Sequence, residues 1–442
     1  MRSSSYTPPS WLTSINASVF LVMTSVSILQ NTIFLRNLTL VVGALIGCYV
    51  IYQNCQIFNL KNAYPLIALI LLFVWVLAHY FFLAGDPPAQ LNELSSIWKR
   101  VFLTFLFAVG LGLSVRGSSK INRNLIILGF AATVIVFYMR WGINFFGLSA
   151  GYPFLVQNYF DSGSIGYVSK YSFSTFVIPF VALVYCFLFK TISGQEKHRI
   201  VLIALAGLSL IASLYILYAV QNKNGILYFL VISFVFLLYL ILRQHNKLSF
   251  RAYLVLSFFI LSLSPLIYSH IKSQSTWETF VMDAQVALDF EHHDHWKYSG
   301  AKGYPNNELG KTVSITAYER VAWAVKGAEL VVLNPQGYGL VINSFGPLAK
   351  TKWPDSRLTH SHSGWLDIAL AFGIPGISLI LIALFGAVMR CSQQASFIPK
   401  AGIWMLLAIF LVFTTSEVAE RVLLDYLIFL IAFFSASTIN AD

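Results

Sequence analysis

Apolar residues gather along this chain in blocks near the length that carries a helix across a hydrocarbon layer. They lie near 11 to 30, 37 to 53, 65 to 84, 101 to 116, 124 to 141, 171 to 190, 200 to 219, 225 to 243, 252 to 270, 364 to 389, 401 to 416 and 422 to 438. Spans of this size predict about 12 transmembrane helices. Two polar excursions interrupt the pattern, residues 142 to 170 and 271 to 363. Within the second, Val313 to Leu333 reads as a helix with Ala317, Val321, Ala324 and Ala328 along one face. Asn334-Pro335 ends that helix, and Gly337-Tyr338-Gly339 makes a tight turn. The expected fold is an all-α polytopic membrane protein with a long, mostly helical loop. Its parts are helices 1–9 in residues 1–270, the loop in 271–363, and helices 10–12 in 364–442.

Composition supports that frame, since 57% hydrophobic and 11% charged residues leave too few polar side chains to cover a soluble globule of 442 residues. The net charge of +11 is mainly a topology signal. Alternate loops carry Arg2, Lys61, then Arg116 with Lys120 and Arg123, Lys190 with Lys197 and Arg199, Arg243 with Lys247 and Arg251, and Arg390 with Lys400. These are the cytoplasmic loops by the positive-inside rule, and both termini fall on that side. The long loop, with nine basic and nine acidic residues, falls on the other. The charge therefore needs no nucleic-acid partner. Cys48, Cys55, Cys186 and Cys391 lie in or beside apolar runs and suggest neither a disulfide framework nor a metal site. Met1 to Ser10 leads into what reads as a retained first helix, without a cleavage site.

Candidate chemistry concentrates where the long loop becomes apolar, at His360-Ser361-His362-Ser363-Gly364-Trp365-Leu366-Asp367 and on to Gly373-Ile374-Pro375-Gly376. An imidazole changes charge near ambient pH, and His362 at the water boundary is placed to take a proton from a hydroxyl; a capping or interfacial histidine is the alternative. Arg320 offers a fork suited to pyrophosphate, against an ion pair with Glu319 or Asp283. Lys223 is the charge in a very short outer turn, a phosphate contact or a snorkelling lysine. Glu417, Glu420 and Arg421 share the last outer turn and are close enough to pair with one another. Arg140 with Trp141 is either an interface anchor or a phosphate contact. Glu291-His292-His293-Asp294-His295 has a metal-like composition, but no second cluster closes a site, so it reads as a solvated loop.

The pattern His-Ser, nine residues, Gly, two residues, Gly, met by His362-Ser363 through Gly373 and Gly376, resembles the signature of bacterial O-antigen ligases and of the wider O-antigen ligase and polymerase superfamily. Arg320 to Trp323, followed by the Asn334-Pro335 and Gly337-Tyr338-Gly339 turn, is similar to upstream motifs of that superfamily. One departure is Lys223, where the family usually has an arginine; the charge is kept and the bidentate fork lost.

The resemblance implies a membrane glycosyltransferase of the GT-C-like type working on the periplasmic face of the inner membrane. Its donor would be a glycan on undecaprenyl pyrophosphate and its acceptor a sugar hydroxyl of lipid A-core. On that reading His362 is the base, Arg320 and Lys223 contact the pyrophosphate, and His360, Arg140, Glu417 and Arg421 support the site or the acceptor side. No metal or cofactor is called for, because cations can carry the charge of a good leaving group. Direct attack inverts the anomeric centre. An O-antigen polymerase would use the same donor. An oligosaccharyltransferase acting on protein usually has a larger terminal domain, and a lipid-linked glycan flippase would show two related halves with charges at the midplane.

Overall fold

The computed structural model describes residues 8–29, 32–116, 118–146, 170–193, 199–244, 268, 276–418 and 421–439. Among these the chain is helical, with one isolated bridge between Asn306 and Thr312 and no strand. The order is α1 (Ser10–Val26), α2 (Ile33–Gln53), α3 (Leu60–Phe82), α4 (Pro87–Glu93), a π turn (Leu94–Trp98), α5 (Lys99–Val115), α6 (Lys120–Phe145), α7 (Lys170–Ser193), α8 (Arg199–Ala219) and α9 (Lys223–Gln244). The polar segment supplies α10 (Thr276–Leu288), α11 (Ile315–Leu333) and α12 (Phe345–Lys352), after which α13 (Gly364–Ser392), α14 (Phe397–Val412) and α15 (Arg421–Ser437) complete the bundle.

Eight of the described helical runs are long and apolar enough to cross a membrane: α2, α3, Pro87–Val115, α6, α7, α8, α9 and α13. The apolar helices α1, α14 and α15 are shorter. The run near 252 to 270 lies, but for Tyr268, outside the described residues. Phe34 and Ile200 are 79% and 84% exposed. Outward-facing apolar side chains of this kind suit a lipid surround, where they meet an environment as apolar as themselves. The centre belongs to α15, whose residues Leu427 to Phe434 are buried on every side, the expected place for a helix that is apolar all round. Helices α2 and α5 meet at Gly47 and Gly110, where a Cβ on Gly110 would stand 2.2 Å from the Gly47 Cα. Small residues at such a crossing let two backbones touch.

The break in α13 is the feature that fixes the polar segment to the bundle. Gly373 sits at φ 65°, ψ −163°, a region essentially reserved for glycine. Two residues later Pro375 has no N–H to give, so the helix ladder fails there. The missing partners come from the Asn334 to Gly339 turn: the N–H groups of Tyr338 and Gly339 donate to the carbonyls of Leu370 and Ala371 at 2.9 and 2.7 Å, and Ile374 N–H donates to Pro335 O at 2.8 Å. These backbone groups at the kink thus meet protein, as a low-dielectric surround requires. A Cβ at Gly337 or Gly373 would lie 2.3 or 2.0 Å from the facing carbonyl oxygen, so the interlock needs glycine on both sides. The α3–α4 corner holds the same turn from behind. Trp75 Nε1 donates to Phe372 O at 2.9 Å, and the Glu93 carboxylate accepts from the Val341 and Ile342 N–H groups at 2.7 and 3.0 Å.

The polar segment has a small core of its own, including Trp296, Tyr318, Ala322, Trp323, Phe345 and Leu358, closed by Leu370 of α13. Helix α11 lies where the apolar pattern puts it, but the buried face differs from the expected one. Ala317 is buried, whereas Ala324 and Ala328 are exposed; the core side carries Tyr318, Glu319, Ala322, Trp323, Gly327 and Leu330. Large aromatic side chains, which bury more area than alanine, set the rotation.

Candidate active site

His362 precedes α13 in a turn with left-handed backbone, φ 56°, a conformation that costs a non-glycine residue energy and persists only where the surroundings impose it. Several contacts impose it. Ser363 N–H donates to Ser361 Oγ across the turn at 3.2 Å. The imidazole stacks on Trp323 of α11, with ring centroids 5.1 Å apart and planes inclined by 21°, while the Trp323 indole N–H is tied to Trp296 O at 2.9 Å. His362 Nδ1 pairs with Glu417 Oε1, from the turn between α14 and α15.

That pair determines the chemistry of the ring. A carboxylate only accepts, so the Nδ1 beside it carries hydrogen, and Nε2 is left with the lone pair. The His362 side chain is 28% exposed and that of Glu417 is 14% exposed, so the imidazole is partly open while its partner is largely enclosed. Burial pushes the Glu417 carboxyl up, but the hydrogen bond and charge of His362, with the charges of His360 and Arg320, outweigh it and hold Glu417 below the usual carboxylate range. The neighbouring Glu319 goes the other way. Burial raises its carboxyl, only partly offset by a 2.6 Å hydrogen bond from Tyr304 O–H and by the charge of His362.

Arg320, one turn before Trp323 on α11, acts electrostatically on Glu417 and also on Tyr228 of α9, whose hydroxyl meets that of Thr415. The carboxylates that the sequence offers Arg320 as ion-pair partners are engaged elsewhere. Glu319 accepts from Tyr304, and Asp283 accepts from Thr279 and Asn307 side chains and from Ser314 N–H at 2.8 to 2.9 Å, which fastens the start of α11.

Four chain segments thus meet: the His362 turn, the Glu417 turn, α11 with Arg320, and α9 with Tyr228. His360 joins through its charge on Glu417. Lys223 opens α9, one and a half turns before Tyr228, and Arg140 is buried near the end of α6. Glu417 pairs with His362, while Glu420 and the Arg421 side chain, with which the sequence offers Glu417 a local pairing, fall outside the described residues. In the histidine-rich cluster, His292 pairs with Asp289, and Asp294 accepts from Tyr298 and Lys297. Among the described residues, no three His, Cys, Asp or Glu side chains gather as metal ligands. The four cysteines are unbridged.

The segment that carries most of this geometry also has a family assignment. Residues 208–381 match the model of the O-antigen ligase family. The match takes in Tyr228, Arg320, His362 and the Gly337–Gly373 interlock, and it ends before Glu417, so the resemblance read from the motifs holds over that stretch. No curated protein matches the chain. With its long apolar helices, this similarity makes the chain a multi-pass membrane protein.

Proposed function

We propose that this protein is a glycosyltransferase of the O-antigen ligase type, which moves a glycan from undecaprenyl pyrophosphate to a sugar hydroxyl of lipid A-core at the periplasmic face of the inner membrane. The observation that carries the reading is the His362–Glu417 pair, a base held in one tautomer beside an arginine, with His362 and Arg320 inside the segment that matches the family. In the reaction His362 Nε2 takes the acceptor hydroxyl proton as the oxygen attacks the anomeric carbon. The bond from that carbon to the phosphate oxygen breaks, and its electron pair leaves with the lipid pyrophosphate. Glu417 stabilises the imidazolium that forms. Arg320, with Lys223 as second cation, meets the charge growing on the departing pyrophosphate, so no metal is required. A single displacement inverts the anomeric configuration.

The test is lipopolysaccharide banding in a strain lacking the gene, complemented with the parent or with His362→Ala. A ligase predicts loss of every capped band in the deletion, restored by the parent alone. A surviving single-repeat band would make the protein a polymerase, and unchanged banding would end the proposal. The purified parent should keep its transfer activity in excess chelator; loss restored by a divalent cation would refute metal independence.

A further inference from the structure

Asp367 lies in the first turn of α13 and is 7% exposed. Both of its oxygens are used. Oδ1 accepts from Ser361 Oγ, and Oδ2 accepts from the backbone N–H of Val418 at 3.0 Å. Ser361 stands between His360 and His362, and Val418 follows Glu417. One buried carboxylate therefore holds the chain on both sides of the base pair, joining the turn that presents the imidazole to the turn that presents its partner.

The Ser361 hydroxyl passes the constraint on. Its oxygen receives the Ser363 N–H across the left-handed His362, while its hydrogen has the Asp367 carboxylate and the Ser363 carbonyl within reach, at 2.5 and 3.0 Å. A hydroxyl has one hydrogen, and an ionised acceptor makes the stronger bond. The line Ser363 N–H to Ser361 O–H to Asp367 thus fixes the strained turn. A second tie, Gly364 N–H to Phe413 O at 2.9 Å, joins the same two segments but does not reach the His362 turn itself.

We propose that Asp367 is the positioning residue of the base: through Ser361 and Val418 it sets the distance and angle between His362 and Glu417 without touching substrate. This rests on His362 being the base, and it makes a distinct claim. Displacing a catalytic group by about 1 Å lowers rate on the order of a hundredfold and leaves binding largely intact. Asp367→Asn keeps one acceptor oxygen where two are needed, because its amide nitrogen cannot accept. Ser361→Ala cuts the line at its middle, and Ser361→Thr retains the hydroxyl.

The experiment measures transfer in vitro with purified full-length protein, lipid-linked donor and lipid A-core acceptor. Asp367→Asn and Ser361→Ala should each lower kcat by about 10- to 100-fold with donor KM within about threefold of the parent. The double variant should be no slower than the worse single one, and Ser361→Thr should recover most of the rate. Should Asp367→Asn fail to accumulate, the two Ser361 variants decide. A Ser361→Ala enzyme with parental kcat, or kcat and KM falling together in every variant, overturns the inference. His362→Ala measured alongside separates the two claims: an active His362→Ala removes the base itself, whereas an inactive one beside a fully active Ser361→Ala removes only the positioning role.

Discussion

Two residues near the start of α13, His362 and Gly373, share the left-handed side of backbone space, at φ 56° and 65°, and they have it for opposite reasons. At Gly373 the conformation is architectural. The facing Pro335 carbonyl leaves no room for a Cβ, and the amino acid there is dictated by packing. At His362 a Cβ is accommodated and the strain is carried by contacts to Trp323, Glu417 and Ser361. Strain at a position where glycine would serve the backbone better is held by what the side chain touches; strain at a glycine marks a close approach.

That contrast orders the expected effects. Gly373→Ala should do the most damage, because alanine there both enters a nearly glycine-only region, at a cost of about 1–3 kcal/mol, and drives its Cβ into Pro335. Folded protein recovered from detergent, followed by size-exclusion profile and thermal melting, should be largely lost; a parental melt would break the comparison. His362→Asn comes next and should behave in the reverse way, since asparagine tolerates left-handed backbone. It should fold and bind donor with parental affinity yet transfer glycan slower by about two to four powers of ten.

Glu417→Gln should sharpen the assignment of the base. Its amide cannot stabilise the imidazolium that forms when His362 takes the acceptor proton, so kcat should fall on the order of tenfold while donor KM stays near the parental value. A parental kcat would mean that the pair does not govern the reaction. The smallest change should come from Lys223→Arg, which keeps a cation at the start of α9 and should remain active, while Lys223→Ala should weaken donor use. Parental donor kinetics in Lys223→Ala would leave Arg320 as the pyrophosphate contact.

How far the sequence discloses this site depends on the range of each interaction. The start of α13, the turn at Gly337–Gly339 and the apolar runs that fall on described residues follow from local pattern and backbone chemistry; eight of those runs are long and apolar enough to cross a membrane, and the run near 252 to 270 lies, but for Tyr268, outside the described residues. The motif histidine and Arg320 come to one place, as their spacing in the family implies. What pattern reading misses is long-range. Glu417 is placed on the supporting side of the site only through the resemblance, and its partner goes unnamed, because nothing in Ser416-Glu417-Val418 points back to a histidine on another segment. Tyr228 looks like one more aromatic in a spanning helix, and Asp367 like a favourable charge in a first turn. The face of α11 is misread because alanines at helical spacing carry less packing information than Tyr318 and Trp323 on the adjoining side.

The stack of His362 on Trp323 has an optical consequence. An imidazolium in face contact with an indole quenches its fluorescence far more than a neutral imidazole does, so the charge on His362 is written into the emission of its neighbour. Trp323 is one of ten tryptophans, and subtracting the emission of a Trp323→Phe protein isolates its contribution. The charge of His362 can then be followed in the resting protein, with no glycan present, as donor or acceptor is added.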